Sequence, residues 1–218
     1  RDADGNWVTP FNPTYVEHRK TDYTEANAWQ YTFFVPHDVD GLKAIFGGES
    51  QFVAKLDELF STSSELQGDV SPDISGLIGQ YAHGNEPVHH VAYLYAFTDS
   101  KHSGEDRIKE IRDTMYLAQP DGLAGNDDLG QMSAWYAFSA IGFYPMNPVG
   151  GEFVLGTPEF EEVSLSFGEQ PFVVKRNTNE GTEYVKEVRL NGQLLETPII
   201  TYAQLVQGGE LEFIMHDK

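Results

Sequence analysis

The sequence predicts a mixed fold, an α-helical part followed by a small antiparallel, sandwich-like β unit. Three observations carry this. Up to about residue 147 the apolar residues recur at the three-and-four spacing of helices, most plainly at Phe52, Val53, Leu56, Leu59 and Phe60. After Pro148 the period shortens to β-rich runs divided by turn residues. Asn191-Gly192 stands between two such runs and signals a two-residue hairpin. The expected division is a helical unit at 1–148 and a β-rich unit at 149–218.

Residues 1–22 read as an ordered loop. Asp2, Asp4 and Asn6 imitate the opening of an EF-hand, but Trp7 stands where its glycine is required and Pro13 where its glutamate is required. Thr24 to Val35 is expected to be helical, with Thr24 as cap and Pro36 as its end. A further helix follows over His37 to Phe46, stopped by Gly47 and Gly48, and the amphipathic helix runs from Ser50. Residues 61–79 are punctuated by Ser, Gly, Asp and Pro and read as loop with one helical turn near Ile74. Tyr81 to Phe97 is expected to become helical at Pro87, and Gly104 to Leu117 forms a helix with Ile108, Ile111 and Met115 inward.

Gly125 to Pro145 is the stretch around which the helical part is organised. Met132, Trp135, Tyr136, Ser139, Ala140 and Phe143 share one face, and Ala134, Phe138 and Ile141 make the opposite face apolar too, so burial on almost every side is expected. Asp127 and Asp128 open this helix, and Asp128 with Gln131 has capping-box spacing. Beyond it, strands are expected at Glu152 to Gly156, Val163 to Phe167, Phe172 to Arg176, Tyr184 to Leu190, Leu194 to Leu195 and Leu211 to Met215.

Composition narrows the partners. Thirty-four acidic against 14 basic side chains give a formal charge of −20, which repels nucleic-acid phosphates and anionic lipid heads. A neutral partner such as a sugar, or a cation, fits better. The absence of cysteine excludes disulfides and thiolate metal sites. No apolar run is long enough to span a bilayer, so no membrane insertion is expected. The first residues carry no signal-peptide pattern and no Met, and a fragment of a longer chain is expected.

Three candidate groups stand out. For Asp127 and Asp128 the plainer reading is helix capping, and for Glu25 a first-turn carboxylate at a helix dipole; the sharper reading pairs them as acid and base. His83, Glu86, His89 and His90 suggest zinc, but the spacing matches neither H-E-x-x-H nor H-x-x-E-H. Oxygens of Asn85 and Glu86 suit a hard cation better.

Taken together, YTEANAWQYTFFVPHD (residues 23–38), YAHGNEPVHHVAYLY (residues 81–95) and GNDDLGQMSAWYAFSAIGFYP (residues 125–145) resemble glycoside hydrolase family 92, the calcium-dependent α-mannosidases. The resemblance is strong over about 22–158 and looser beyond. Ala26 departs from the family pattern, where glycine is expected. The resemblance implies an N-terminal β-sandwich, absent here, an (α/α)6 catalytic barrel of which about half the helices are present, and a β-rich tail. It implies inverting hydrolysis of terminal α-mannosidic bonds, often α-1,2, of N-glycans or mannans, with calcium on the mannose hydroxyls and a periplasmic or extracellular location. By position in these motifs Glu25 matches the acid and Asp127 or Asp128 the base, Asp128 being favoured. Trp29, His83, Asn85 and Glu86 are expected against the sugar, with Asn85 and Glu86 also at the metal. Without the missing parts of the barrel the fragment is expected to be inactive. The competing expectation is a non-catalytic carbohydrate-binding or structural module, which has no use for converging carboxylates.

Overall fold

In the computed structural model, which describes residues 1–177 and 183–217, the chain opens with turns, as expected of a loop. It then forms a short strand β1 (Tyr15–Glu17) that pairs in parallel with β2 (Gln67–Asp69). The helix expected over Thr24 to Val35 shrinks to one turn, α1 (Ala28–Tyr31). The cause is local. Ala26 takes φ +63°, which no right-handed helix contains, and Asn27 caps the turn in a capping box with Gln30. Glycine adopts that φ without strain, whereas L side chains rarely do.

The next two helices follow the sequence closely. Asp38 caps α2 (Val39–Ile45) through Gly41 N at 2.9 Å, and Gly47 and Gly48 take positive φ after it. Helix α3 (Glu49–Ser61) buries Phe52, Leu56, Leu59 and Phe60, each side chain contributing about 1.5–3 kcal/mol of apolar burial.

The stretch Tyr81 to Phe97 departs from expectation. Instead of entering a helix, β4 (Tyr81–Ala82) pairs antiparallel with β3 (Leu77–Ile78). The rest winds as two 3-10 segments, Glu86–Val88 and Val91–Phe97. Residues 88–95 are all buried. A segment enclosed on every side has no solvent face to impose the 3.6 period, and packing sets its winding instead.

Helix α4 (Lys101–Met115) buries Ile108 and Ile111, and α5 (Gln131–Ile141) buries Met132, Trp135, Ser139 and Ala140. The all-round burial expected of α5 is not found: Ser133, Tyr136 and Ala137 are exposed. Buried Arg112 of α4 ties the far end of α5 down, donating to the Ser139 and Thr157 carbonyls at 3.0 and 2.9 Å.

Two sheets follow. One has three strands, β5 (Phe143–Asn147), β6 (Glu152–Leu155) and β11 (Ile199–Thr201), in the order β11-β6-β5. The other contains β7 (Glu162–Leu165), β8 (Phe172–Asn177), β9 (Tyr184–Leu190), β10 (Gln193–Leu194) and β12 (Gly209–His216), in the order β10-β9-β12-β8-β7. The hairpin at Asn191-Gly192 forms, both residues having positive φ. The sheet is mixed rather than antiparallel, because β12 returns after β11 and α6 (Tyr202–Gln207) and inserts parallel to β8. Phe143, Leu155 and Ile200 of the smaller sheet and Phe172, Leu211 and Phe213 of the larger share one buried cluster, as in a sandwich. Among the described residues no helix is long and apolar enough to cross a membrane.

Candidate active site

Three chain segments supply the candidate carboxylates. The first carries Glu25, just before Ala26 and the Asn27 cap. The Asn27 side chain accepts from Trp29 N at 3.0 Å and Gln30 N at 3.4 Å and donates to Gln80 Oε1 at 2.8 Å, while Gln30 Nε2 donates to the Gln80 carbonyl at 3.0 Å. All three side chains are buried. Gln80 directly precedes β4, so this polar knot joins the Glu25 segment to the segment carrying Asn85 and Glu86. The cap expected from the sequence is Thr24, and neither the Asn27–Gln30 box nor its partner fifty residues on was singled out there.

The second segment leaves β4 through a turn, Asn85 N donating to the Ala82 carbonyl at 3.1 Å, and Glu86 opens the first 3-10 segment. Asn85 is 3% exposed, and its Nδ2 has no partner among the described residues. Glu86 is half-buried. Burial is the main cause that raises its pKa, and the Asp128 carboxyl, within hydrogen-bonding reach, and the charge of Glu25 push the same way.

The third segment holds the aspartate doublet, and the backbone divides its roles. The capping box expected of Asp128 and Gln131 does not form. Asp127 Oδ1 accepts from Ser133 N at 3.0 Å and Ser133 Oγ at 2.8 Å, and its carbonyl accepts from Met132 N at 3.1 Å, so Asp127 binds the start of α5. Asp128, at φ +48°, is turned out of that role and toward Glu86. A left-handed residue followed by another, Leu129 at φ +57°, is what separates the two carboxylates.

The second and third segments touch backbone to backbone. A Cβ on Gly125 would lie 2.8 Å from Gly84 Cα and 3.1 Å from Gly84 O, and one on Gly84 would collide with Ser75 Oγ. Only glycines allow this crossing, which sits one residue before Asn85 and two before Asp127.

Two expected sugar contacts do not face a site. His83 is fully buried, with Nδ1 2.8 Å from Tyr81 OH and Nε2 2.7 Å from Tyr116 OH, so both ring nitrogens are spent on the core. Burial lowers its pKa to about 2. Trp29 lies in the main hydrophobic cluster with Lys55 Nζ 3.8 Å above its ring. His89 bonds the His83 carbonyl and His90 the Phe33 carbonyl, both through Nε2 at 2.8 Å. Among the described residues no three His, Cys, Asp or Glu side chains group as a metal site.

His90 makes the fold acid-sensitive. Burial lowers its pKa from 6.5 to about 4, against the opposing effect of its bond to Phe33. The unfolded chain therefore takes the proton first, and stability that is full above pH 6.5 is lost as pH falls toward 4. The loss from this one group approaches about 1.4 kcal/mol per pH unit. Thermal melts over that range are expected to show a falling midpoint, to which buried His83 and His89 also contribute, and His90→Gln is expected to lessen its slope; an equally steep fall in the variant contradicts the assignment.

A family model described as the glycosyl hydrolase family 92 catalytic domain matches residues 1–217. A family GH92 α-mannosidase from Bacteroides thetaiotaomicron is 39% identical with a TM-score of 0.85, the match covering 100% of this chain and 28% of that one. In its complex with mannoimidazole the identity is 40%, the TM-score 0.88 and the coverage 100% and 30%. A family GH92 inverting mannosidase from Bacteroides thetaiotaomicron VPI-5482 is 33% identical, with a TM-score of 0.80 and coverage of 100% and 30%. An uncharacterised secreted glycosidase from Arthroderma benhamiae is 28% identical over 199 residues, 88% of this chain and 23% of its own length. The chain thus spans 23% to 30% of the length of these relatives.

Proposed function

The chain belongs to glycosyl hydrolase family 92, and from that premise we propose that it carries the acid and base of an inverting exo-α-mannosidase acting on terminal α-mannosidic bonds, α-1,2 in preference, of N-glycans or mannans. Its helices at 1–148 are about half of an (α/α)6 barrel, and residues 149–218 form the β-rich unit behind it. The remaining helices and an N-terminal sandwich belong to the same longer chain, in the periplasm or outside the cell; the secreted relative supports that location. One observation supports the reading: beside its burial, the Asp128 carboxyl and the charge of Glu25 both raise the Glu86 pKa, so the three candidate segments share one electrostatic neighbourhood.

An inverting glycosidase needs a protonated carboxyl beside the leaving oxygen and a carboxylate that holds water on the opposite ring face, roughly 6.5–9.5 Å away. Glu25 is the acid and gives its proton to the glycosidic oxygen. Asp128 is the base and takes a proton from the attacking water, which bonds to the anomeric carbon as the leaving oxygen departs. Asp127 keeps α5, and with it Asp128, in place.

Calcium is the proposed cofactor. Asn85 and Glu86 offer hard oxygens, and the Asp128 and Glu25 charges that help raise the Glu86 pKa are ones a dication would relieve. They fit as part of a site, since calcium takes roughly six to eight oxygens and the rest would come from sugar hydroxyls, water and other parts of the protein. Bound there, the ion would hold mannose hydroxyls and favour a distorted ring.

The test is mannose release from α-1,2-mannobiose by a protein that carries this chain within the full length of its relatives, with and without chelator. Release that chelator stops is expected, and no release from the 218-residue chain alone. Absence of release from the long protein favours a carbohydrate-binding module instead.

A further inference from the structure

We propose that Gln131 is a positioning residue, holding the Asp128 turn against the Asn85–Glu86 turn through its side-chain bond to His89. This deepens the mannosidase reading and rests on it.

The argument is one of hydrogen-bond polarity. His89 Nε2 is 2.8 Å from the His83 carbonyl, which can only accept, so Nε2 carries the proton. In the neutral ring Nδ1 is then a bare acceptor, and Gln131 Nε2, 3.1 Å away, donates to it. Gln131 is the first residue of α5, three after Asp128, and His89 stands three after Glu86. The side-chain bond therefore spans the two turns at the end nearest their carboxylates.

Deeper links hold the same elements together without it. Trp135 Nε1 donates to the His89 carbonyl at 2.9 Å, and Tyr116 OH donates to the Met132 carbonyl at 3.0 Å while accepting a hydrogen bond from His83 Nε2. Removing the Gln131 amide thus leaves α5 docked through its buried side and frees only its first turn. A loss confined to alignment lowers kcat and leaves ground-state binding nearly untouched; displacement of a reacting group by about 1 Å can cost about a hundred-fold in rate.

The experiment compares Gln131→Met, which keeps the length of the side chain without a donor, and Gln131→Glu, which is isosteric but presents a carboxylate, in the long protein described above. Both are expected to lower kcat about ten- to a hundred-fold with KM nearly unchanged and with thermal midpoints close to wild type. In 15N-histidine spectra wild-type His89 is expected to be the neutral Nε2–H form, and Gln131→Met to move its Nδ1 resonance to that of an unbonded acceptor. Unchanged kcat in a folded variant, or a His89 proton on Nδ1, overturns the proposal. If the wild-type protein releases no mannose, the reading of the reaction fails, and the Nδ1 resonance still decides whether the strut exists: a resonance that Gln131→Met does not move overturns it.

Discussion

Glu25→Gln is expected to abolish cleavage of mannobiose while sparing mannosides whose leaving group needs no proton. Glutamine keeps the shape of the side chain but has no acidic proton to give, and general acid catalysis contributes about a hundred- to ten-thousand-fold. An alkoxide leaving from a disaccharide requires that proton. A phenolate bearing nitro groups departs nearly unaided, so its rate is expected to fall less than about ten-fold. Steady-state kinetics on the two substrates check this. Equal losses on both would make Glu25 a binding residue rather than the proton donor, and normal turnover of mannobiose would remove it from the reaction. The polar knot of Asn27, Gln30 and Gln80 fixes the adjoining turn without the Glu25 carboxyl, so exchanging that carboxyl leaves the segment in place.

Gly125→Ala is the second large effect. Its new methyl would press on the backbone of Gly84 at 2.8 and 3.1 Å and on Ser75 Oγ at 3.0 Å. Backbone cannot swing aside as a side chain can, so the two site-bearing turns must part. Overpacking of this kind costs about 1–3 kcal/mol, and the misalignment of Asp128 against its partners adds about a hundred-fold loss of kcat. Gly192→Ala separates the two consequences. Gly192 has φ +79° with open space around it, in a hairpin of the β-rich unit. Alanine there is expected to cost about 1–2 kcal/mol of conformational strain with kcat unchanged. Denaturant unfolding and kinetics on both variants test the contrast; equal kcat losses would mean that general destabilisation, not the crossing, explains the result.

The sequence made legible what depends on near neighbours. The stop of α2 at Gly47 and Gly48, the apolar stripe of α3 and the hairpin at Asn191-Gly192 follow from residues within a few positions of each other, and the structure agrees. It hid what depends on distant partners. The 3-10 winding of Val91–Phe97 comes from burial on every side, and the parallel entry of β12 from the route of the chain before it. The same distinction holds at the site. The motifs pointed to Glu25, Glu86 and the aspartate doublet, but the division of labour within the doublet needed the sign of φ at Asp128. His83 and Trp29 carry sugar-binding chemistry by type, yet Tyr81 and Tyr116 occupy one and Lys55 covers the other. Gln80 and Ser75 had no local pattern to single them out, and Gln131, which the spacing paired with Asp128 in a capping box, bonds His89 instead.

The proton donor and the water-holding carboxylate are assigned to opposite faces of one pyranose, and the product itself reports that arrangement. Proton NMR of the first mannose released from an α-mannoside, followed before mutarotation, is expected to show the β anomer, since water attacks from the face opposite the leaving oxygen. First release of the α anomer would mean a covalent intermediate and two carboxylates on a shorter span, and would contradict the roles given to Glu25 and Asp128.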